Sequence, residues 1–91
     1  MQRRKTKRLQ DVPNIGPATE KLLISLGINS PADLVGKDPY RMYEDLCHST
    51  HKEHDPCVID VFISAVKYLE GSPPKKWWEF TQERKKHLSS N

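Results

Sequence analysis

A short turn near the amino terminus carries groups that could bind phosphate. Residues 12–18 read Val-Pro-Asn-Ile-Gly-Pro-Ala, and the second proline is suited to begin a helix. Backbone N–H groups at a helix start lack intrahelical acceptors, and the helix dipole adds positive charge there. The turn therefore predicts an anion site, to which a threonine hydroxyl and a lysine ammonium could contribute. The predicted contact residues are Asn14, Gly16, Ala18, Thr19 and Lys21.

A run of basic residues precedes this turn, and no acidic residue interrupts it. One interpretation is a solvated tail that keeps the protein soluble. The other is an arm that lies along a nucleic-acid backbone and releases counterions from the phosphates. Both interpretations can hold together. The basic residues are Arg3, Arg4, Lys5, Lys7 and Arg8.

Two thiols and three imidazoles lie within a short central stretch, where they raise the question of a zinc site. Zn²⁺ prefers four ligands from Cys and His. The stretch has no C-x₂-C pair, however, and the Asp55-Pro56 dipeptide starts a new helix before the last thiol. We favour thiols packed in the core, with no metal and no cofactor; a disulfide or redox switch between the thiols, and a metal site in this stretch, are the alternatives that stay open. The residues are Cys47, His48, His51, His54 and Cys57.

A segment near the carboxyl terminus combines bases with aromatic residues. It reads Lys-Lys-Trp-Trp-Glu-Phe over residues 75–80. Such a combination can hold single-stranded nucleic acid by stacking. A chain of 91 residues also needs large apolar side chains to cover its helices. We favour packing, with one indole buried and the other exposed.

The chain shows no residue pattern typical of catalysis. It has no Ser/His/Asp arrangement, no paired-carboxylate site and no phosphate-cradling glycine loop. Cys47 and His48 are neighbours, but adjacent helical residues point about 100° apart and do not easily form a nucleophile–base pair. We predict a protein that is not an enzyme.

Proline and glycine mark the helices that must position these groups. Glycines at positions 27, 36 and 71 supply helix ends. Between these prolines and glycines, apolar residues recur at helical spacing. A short first helix is expected over about residues 6–11. No run of alternating apolar and polar residues predicts a strand. The sequence predicts an all-α, compact bundle of about five short helices, with the tryptophan segment packed back on it. Four prolines follow a residue suited to cap a helix, at Gly16-Pro17, Ser30-Pro31, Asp38-Pro39 and Asp55-Pro56.

The net charge of +3 is distributed unevenly. Residues 1–8 carry +5, residues 9–70 carry ten acids against five bases, and residues 71–91 carry +3. A basic chain suggests an anionic partner, but here only the two ends are basic. We expect a flexible basic tail over 1–8, one domain over 9–80 and a polar tail over 81–91. With no signal peptide and no run of about 20 apolar residues, we expect a cytoplasmic protein with no membrane partner.

The stretch Val12–Ile28 resembles the helix-hairpin-helix motif of DNA repair and recombination proteins. In that motif, two antiparallel helices flank a tight turn written apolar-x-Gly-apolar-Gly. Ile15 and Gly16 match the end of this pattern, while Asn14 stands where the first glycine is usual. Asparagine tolerates the left-handed conformation better than most residues, so the departure is physically permissible. The resemblance implies one such element in a SAM-like bundle, with Ile15 pointing into the core.

The chain also resembles, over roughly residues 9–80, a small bacterial family named for a pathogenicity locus, some members of which are labelled mitomycin-resistance proteins. The resemblance implies a helix-hairpin-helix fold and a DNA role, with no established activity. It is carried by the hairpin and by the order of Leu26-Gly27-Ile28, Asp33-Leu34, Asp38-Pro39-Tyr40, Leu46-Cys47, Asp55-Pro56-Cys57-Val58, Phe62, Ala65-Val66 and Trp77-Trp78.

These observations favour a DNA-binding protein that holds the phosphate backbone through the hairpin amides and the basic ends. Phosphate contacts do not read bases, so binding is expected to be non-specific or to prefer a DNA structure. The alternative is an adaptor that offers its acidic helical body to another protein. Glu20 beside the turn favours the adaptor, as does Lys21, the only base within residues 13–28. We therefore expect the hairpin alone to bind weakly and to need the basic ends.

Overall fold

The computed structural model describes residues 8–89, which form five α-helices and two short 3-10 turns and contain no strand. One 3-10 turn, Leu9–Asp11, precedes the hairpin turn, and the other, Trp77–Phe80, leads directly into the last helix. The predicted all-α bundle is confirmed. The helices are α1 (Pro17–Ser25), α2 (Pro31–Leu34), α3 (Pro39–Thr50), α4 (Cys57–Leu69) and α5 (Thr81–Ser89).

Proline starts three of these helices, as predicted, because its fixed φ suits the first turn and its missing N–H has no acceptor to lose there. The prolines at first helical positions are Pro17, Pro31 and Pro39. At α4 the start is shifted by one residue, since Pro56 precedes the helix and Cys57 begins it. The Asp55 carboxylate still caps this helix, accepting the Cys57 N–H at 2.8 Å.

Gly27 ends α1 in the way that the sequence predicts. Its φ of +83° lies in the left-handed region, which glycine adopts without strain. The next N–H, that of Ile28, donates to the Leu23 carbonyl at 2.9 Å. This bond satisfies a carbonyl at the helix end and turns the buried Ile28 side chain back onto the core.

The central helix is α4, which is buried around most of its circumference. Its position at the centre explains why α4 buries residues on more than one face, Ile59 and Ile63 as well as Phe62 and Val66. Hairpin residues Val12 and Ile15 pack in the same cluster as Phe62 of α4, so the predicted inward orientation of Ile15 is observed. The buried residues of α4 are Ile59, Asp60, Phe62, Ile63, Ser64, Ala65, Val66 and Leu69.

The segment before the hairpin turn is shorter than the predicted helix over about residues 6–11. Among the described residues it is the single 3-10 turn Leu9–Asp11. Leu9 and Val12 are each only 1% exposed, so two side chains anchor this turn to the core. Within residues 8–89, two full helices around the turn are therefore not observed. The structure has the turn and the helix that follows it.

The predicted polar tail over 81–91 is wrong for residues 81–89, which form α5. Arg84 of α5 is buried, and its Nε donates to the carboxylate of Asp60 in α4 at 3.0 Å. The Thr81 hydroxyl donates to the same carboxylate at 2.7 Å. A sequence with almost no apolar residues therefore docks through polar contacts, which helical periodicity does not reveal.

The tryptophan segment packs back on the bundle, as predicted. Phe80 is 7% exposed and clusters with Ile59 and Ile63 of α4. Trp77 is half-buried, whereas Trp78 is 57% exposed, in line with the expected division between the two indoles. None of the helices within residues 8–89 is long and apolar enough to cross a bilayer.

Candidate functional site

The hairpin turn runs from Val12 to Ile15 and is closed by one backbone bond, from the Ile15 N–H to the Val12 carbonyl at 3.2 Å. Pro13 is its second residue, and Asn14, its third, has a φ of +73°. Proline followed by a left-handed residue is typical of a type II turn, in which glycine or asparagine fits the third position. The asparagine that replaces the usual glycine therefore keeps the conformation of the turn.

The side chain of Asn14 ties this turn to two distant parts of the chain. Its Nδ2 donates to Ser64 Oγ of α4 at 3.1 Å and to the Lys75 carbonyl at 2.7 Å. Ser64 is buried and donates onward to the Val61 carbonyl at 2.8 Å. Both amide hydrogens of Asn14 are thus used within the protein. Asn14, predicted as a phosphate contact, offers only its backbone to a ligand and uses its side chain to position the turn.

Two substitutions of Asn14 should separate its conformation from its hydrogen bonds. Glycine keeps the left-handed φ but loses both side-chain bonds, so we expect Asn14→Gly to lower the free energy of unfolding by about 1 kcal/mol. Asn14→Ala adds left-handed strain of roughly another 1 kcal/mol. Urea denaturation followed by circular dichroism measures both variants. Equal losses would contradict a role for backbone conformation at this position.

The start of α1 presents the predicted row of backbone donors. The first intrahelical bond runs from the Glu20 N–H to the Gly16 carbonyl at 2.9 Å, and the N–H groups of Ala18 and Thr19 have no acceptor among residues 8–89. Gly16 is exposed with an ordinary φ of −97°, and a Cβ there would meet nothing within 4 Å. Nothing inside the fold requires glycine here, and the missing side chain leaves the amides open to close approach from outside. Lys21 is exposed on the next turn.

Acidic groups flank these donors. Glu20 follows them in the first turn of α1, and its carboxylate accepts a hydrogen bond from Gln10 Nε2 at 2.8 Å. The Asp11 carboxylate accepts the Arg8 N–H at 3.0 Å. Neither bond neutralises a full negative charge, since Gln10 is neutral and the Arg8 donor is a backbone amide. The start of α1 alone therefore has a weaker attraction for anions than its amides suggest.

Two lysines from the far end of the sequence lie beside the hairpin turn. They contribute to an open cleft of about 450 Å³, which we call the lysine cleft. The sequence predicts no contact between the hairpin and this segment, because the bond from Asn14 to Lys75 spans 61 residues. In the sequence, only the basic and aromatic composition of residues 75–80 indicates that this segment could bind nucleic acid. The cleft is lined by Pro13, Asn14, Pro74, Lys75, Lys76 and Glu79.

Comparison with known proteins identifies the family. A family model described as Cdd1, pathogenicity locus, matches residues 2–86. The chain belongs to this family. Mitomycin resistance protein McrB of Streptomyces lavendulae is 35% identical over 81 residues, which cover 89% of this chain and 77% of that protein. No solved structure matches the chain.

The pathogenicity-locus match is wider than the resemblance over residues 9–80 and extends to residues 2–86. It includes every predicted phosphate contact and the whole basic run, together with the lysine cleft and Arg84. Arg8 is exposed, and its backbone N–H is bonded to Asp11. The other members of the predicted arm, Arg3, Arg4, Lys5 and Lys7, lie outside the described residues.

In this member of the pathogenicity-locus family, the cysteine–histidine stretch connects α3 to α4. The Nε2 atom of His54 lies 2.8 Å from Thr50 Oγ1, and the His54 carbonyl accepts the hydroxyl of Tyr43. Across residues 8–89, no three His, Cys, Asp or Glu side chains come together to hold a metal ion. The five residues of the stretch lie at the end of α3, in the loop and at the start of α4: Cys47, His48, His51, His54 and Cys57.

Cys47 and Cys57 are free, half-buried thiols. A hydrogen bond to the Asp55 carboxylate, together with burial, raises the pKa of the Cys57 thiol. Burial and a hydrogen bond with Cys47 raise the pKa of Tyr43 to about 12. A reactive cysteine requires the opposite shift, toward the thiolate at neutral pH. At neutral pH these shifts favour the protonated forms of the Cys57 thiol and the Tyr43 hydroxyl.

Proposed function

We propose that the protein binds DNA without catalysing a reaction and holds the phosphate backbone between the start of α1 and the lysine cleft. The contact between these two features carries the proposal. Asn14 donates to the Lys75 carbonyl at 2.7 Å, and α1 begins three residues later, at Pro17. The turn that leads into the open amides therefore lines the same cleft as the two lysines.

The amides of Gly16, Ala18 and Thr19 would hold a single phosphate. They are at the positive end of a nine-residue helix, and two of them have no acceptor among residues 8–89. The Thr19 hydroxyl and the Lys21 ammonium are close enough in sequence to add contacts. The open space beside Gly16 would let a sugar–phosphate chain approach the backbone closely.

The lysine cleft supplies the charge that the start of α1 lacks. Residues 9–70 carry a net charge of −5, and Glu20 follows the amides directly. Lys75 and Lys76 are both exposed, so they would meet the neighbouring phosphates of the same strand. Residues 1–8 carry a further +5 and would extend along the backbone. The hairpin would therefore depend on Lys75, Lys76 and residues 1–8 for most of its attraction to DNA.

Contacts to phosphate carry no sequence information, so the proposed binding is largely independent of base sequence. The protein would bind this DNA in the cytoplasm of a bacterial cell. The names of the family and of its relative, pathogenicity locus and mitomycin resistance, state no ligand. The geometry of the hairpin and of the lysine cleft therefore supports the proposal, and the names do not.

The second candidate is an adaptor that binds a protein through its acidic body. One observation favours it, because Ile24 of α1 is 49% exposed on a helix that also carries Glu20. An apolar side chain beside an acid can contact a basic, partly apolar partner. This candidate predicts no DNA binding once the charged termini are screened by salt.

Fluorescence anisotropy with intact duplex, branched and single-stranded DNA tests the proposal over a series of salt concentrations. We expect the logarithm of the association constant to fall linearly with the logarithm of salt concentration, with a slope of roughly −0.9 for each phosphate contact on duplex. Deletion of residues 1–7 should reduce that slope without abolishing binding. The absence of salt-sensitive binding to all three DNAs would reject the proposal in favour of the adaptor.

A glutamate in the hairpin tests the amides directly. Gly16→Glu adds a negative charge where the phosphate would lie, and we expect about a fivefold loss of DNA affinity, because two charges 4 Å apart in water repel by about 1 kcal/mol. The matched control is Ala32→Glu, which makes the same change in net charge at an exposed position of α2. If both variants lose affinity equally, the hairpin is not the phosphate site.

A further inference from the structure

Among residues 8–89, Trp78 is the large apolar residue that the fold leaves most exposed. Its exposed fraction is 57%, against 49% for Ile24 and 45% for Leu88. Burial of an indole is among the largest apolar gains available to a small domain. Trp77 and Phe80 of the same 3-10 turn use that gain, since the first is half-buried and the second is 7% exposed. Packing therefore accounts for the neighbours of Trp78 but not for Trp78.

The turn that carries Trp78 is held in place at several points. Glu79 Oε2 accepts the Lys76 N–H at 2.9 Å and thereby caps the start of the turn. Phe80 anchors the end of the turn in a cluster with α4. The Trp77 ring meets the Trp78 ring edge-on, with centroids 5.5 Å apart and an angle of 83° between the rings. An aromatic ring on a fixed turn loses little conformational freedom when it binds a ligand.

The chemistry around Trp78 is suited to a nucleic-acid strand. In the chain, Trp78 lies between Lys76 and Glu79, and both of these residues line the lysine cleft. Lys75 and Lys76 are exposed on the same segment. Adjacent lysines beside an exposed aromatic ring supply the two contacts that hold single strands: charge for the phosphates and a flat face for the bases.

We propose that Trp78 stacks on an unpaired base next to the phosphates that the lysine cleft and the start of α1 hold. The inference rests on the proposed DNA binding and adds the substrate class, which is DNA with a single-stranded stretch beside a duplex. Inside an intact duplex, both faces of each base are covered by its neighbours, so the indole has no face on which to stack. At a gap or branch, such faces are free. Stacking of this kind tolerates any base, in keeping with phosphate contacts that read no sequence.

Two labelled DNAs of equal length and with identical ends test the inference on the full chain. One is an intact duplex, and the other has a gap of about six nucleotides in one strand, within the range of known single-strand sites. We expect the gapped DNA to bind roughly tenfold more tightly, since stacking is worth about 1–3 kcal/mol per base. Trp78→Ala should remove this difference without weakening duplex binding, and Trp78→Phe should restore part of it.

Leu88→Ala is the matched control, because it removes an exposed apolar side chain of α5 and should leave the preference intact. Trp78→Ala loses the edge-on contact with Trp77, worth about 1 kcal/mol, so its melting temperature should fall by only about 4–8 °C and the variant should stay folded at the assay temperature. Equal binding of gapped and intact DNA by the wild type would overturn the inference and leave the proposed function standing, whereas no binding to either would end both. A wild-type dimer that Trp78→Ala converts to a monomer, seen in sedimentation, would assign the ring to an interface between copies and also overturn the inference.

Discussion

Replacement of Arg84 by alanine should lower the free energy of unfolding by about 3 kcal/mol, because it leaves the Asp60 carboxylate buried without a counterion. Asp60 has 0% of its surface exposed, and Arg84 has 9%. The guanidinium donates to Asp60 through Nε at 3.0 Å and through a terminal nitrogen at 3.3 Å. The hydrogen bond with Asp60 raises the pKa of Arg84 further above its ordinary value. The expected loss is at the lower end for buried pairs, since 11% of the Arg84 side chain is exposed and water reaches its edge.

Thermal unfolding and urea titration measure this effect, and the melting temperature should fall by more than about 10 °C in a domain of this size. Lys85→Ala is the matched control: it removes an exposed cation from the next position of α5 and should leave stability unchanged. The double variant Asp60→Leu/Arg84→Met should recover most of the loss, because apolar residues can replace a buried ion pair at little cost. A stable Arg84→Ala protein, or a double variant as unstable as the single one, would contradict this account.

The remaining contacts of α5 are too exposed to replace that pair. The Lys67 Nζ lies 2.8 Å from Glu83 Oε1, but both side chains are more than two-fifths exposed, so water screens the attraction. The Tyr40 and His87 rings stack with centroids 3.7 Å apart, and the His87 side of this pair is exposed. These contacts orient α5, whereas the pair of Asp60 and Arg84 decides whether it docks.

The features predicted from sequence are those that a single residue type determines locally. Proline at the helix starts and glycine at Gly27 act through their own φ angles, so the helix boundaries could be read residue by residue. Ile15 belongs to this group as well, because its place in the turn fixes its direction. Asn14 shows the limit of such reading. Its left-handed φ follows from its side chain, but the bonds to Ser64 and Lys75 depend on the packed fold.

The features missed are those that depend on a partner far along the chain. Asp60 is a charged residue within an apolar helix, and its partners Thr81 and Arg84, more than 20 residues further along the chain, explain it. Local sequence therefore predicts a polar tail where the fold has a docked helix. Lys75 and Lys76 were missed as neighbours of the hairpin for the same reason, since nothing within their own segment indicates that Asn14 binds it.

The largest expected effect on DNA binding comes from removal of these two lysines. If each of them neutralises one phosphate, Lys75→Ala/Lys76→Ala should reduce the salt slope by about 2, as the loss of two contacts requires. If the variant and the wild type bind equally at one molar salt, this difference in slope makes the variant roughly 60-fold weaker at a tenth of that concentration. Equilibrium anisotropy over the same salt series measures both quantities on one DNA.

Lys85→Ala/Lys86→Ala is the matched control, because it removes two exposed lysines with the same change in net charge from α5. If net charge alone attracted DNA, the two double variants would weaken binding equally, and the lysine cleft would have no special role. If the cleft is the site, the control loses little, because lysines that contact no phosphate release no counterions. The comparison also decides what Asn14 contributes. By holding Lys75 against the hairpin, it would turn two weak anion sites, one at a helix start and one on a loop, into a single surface long enough for adjacent phosphates.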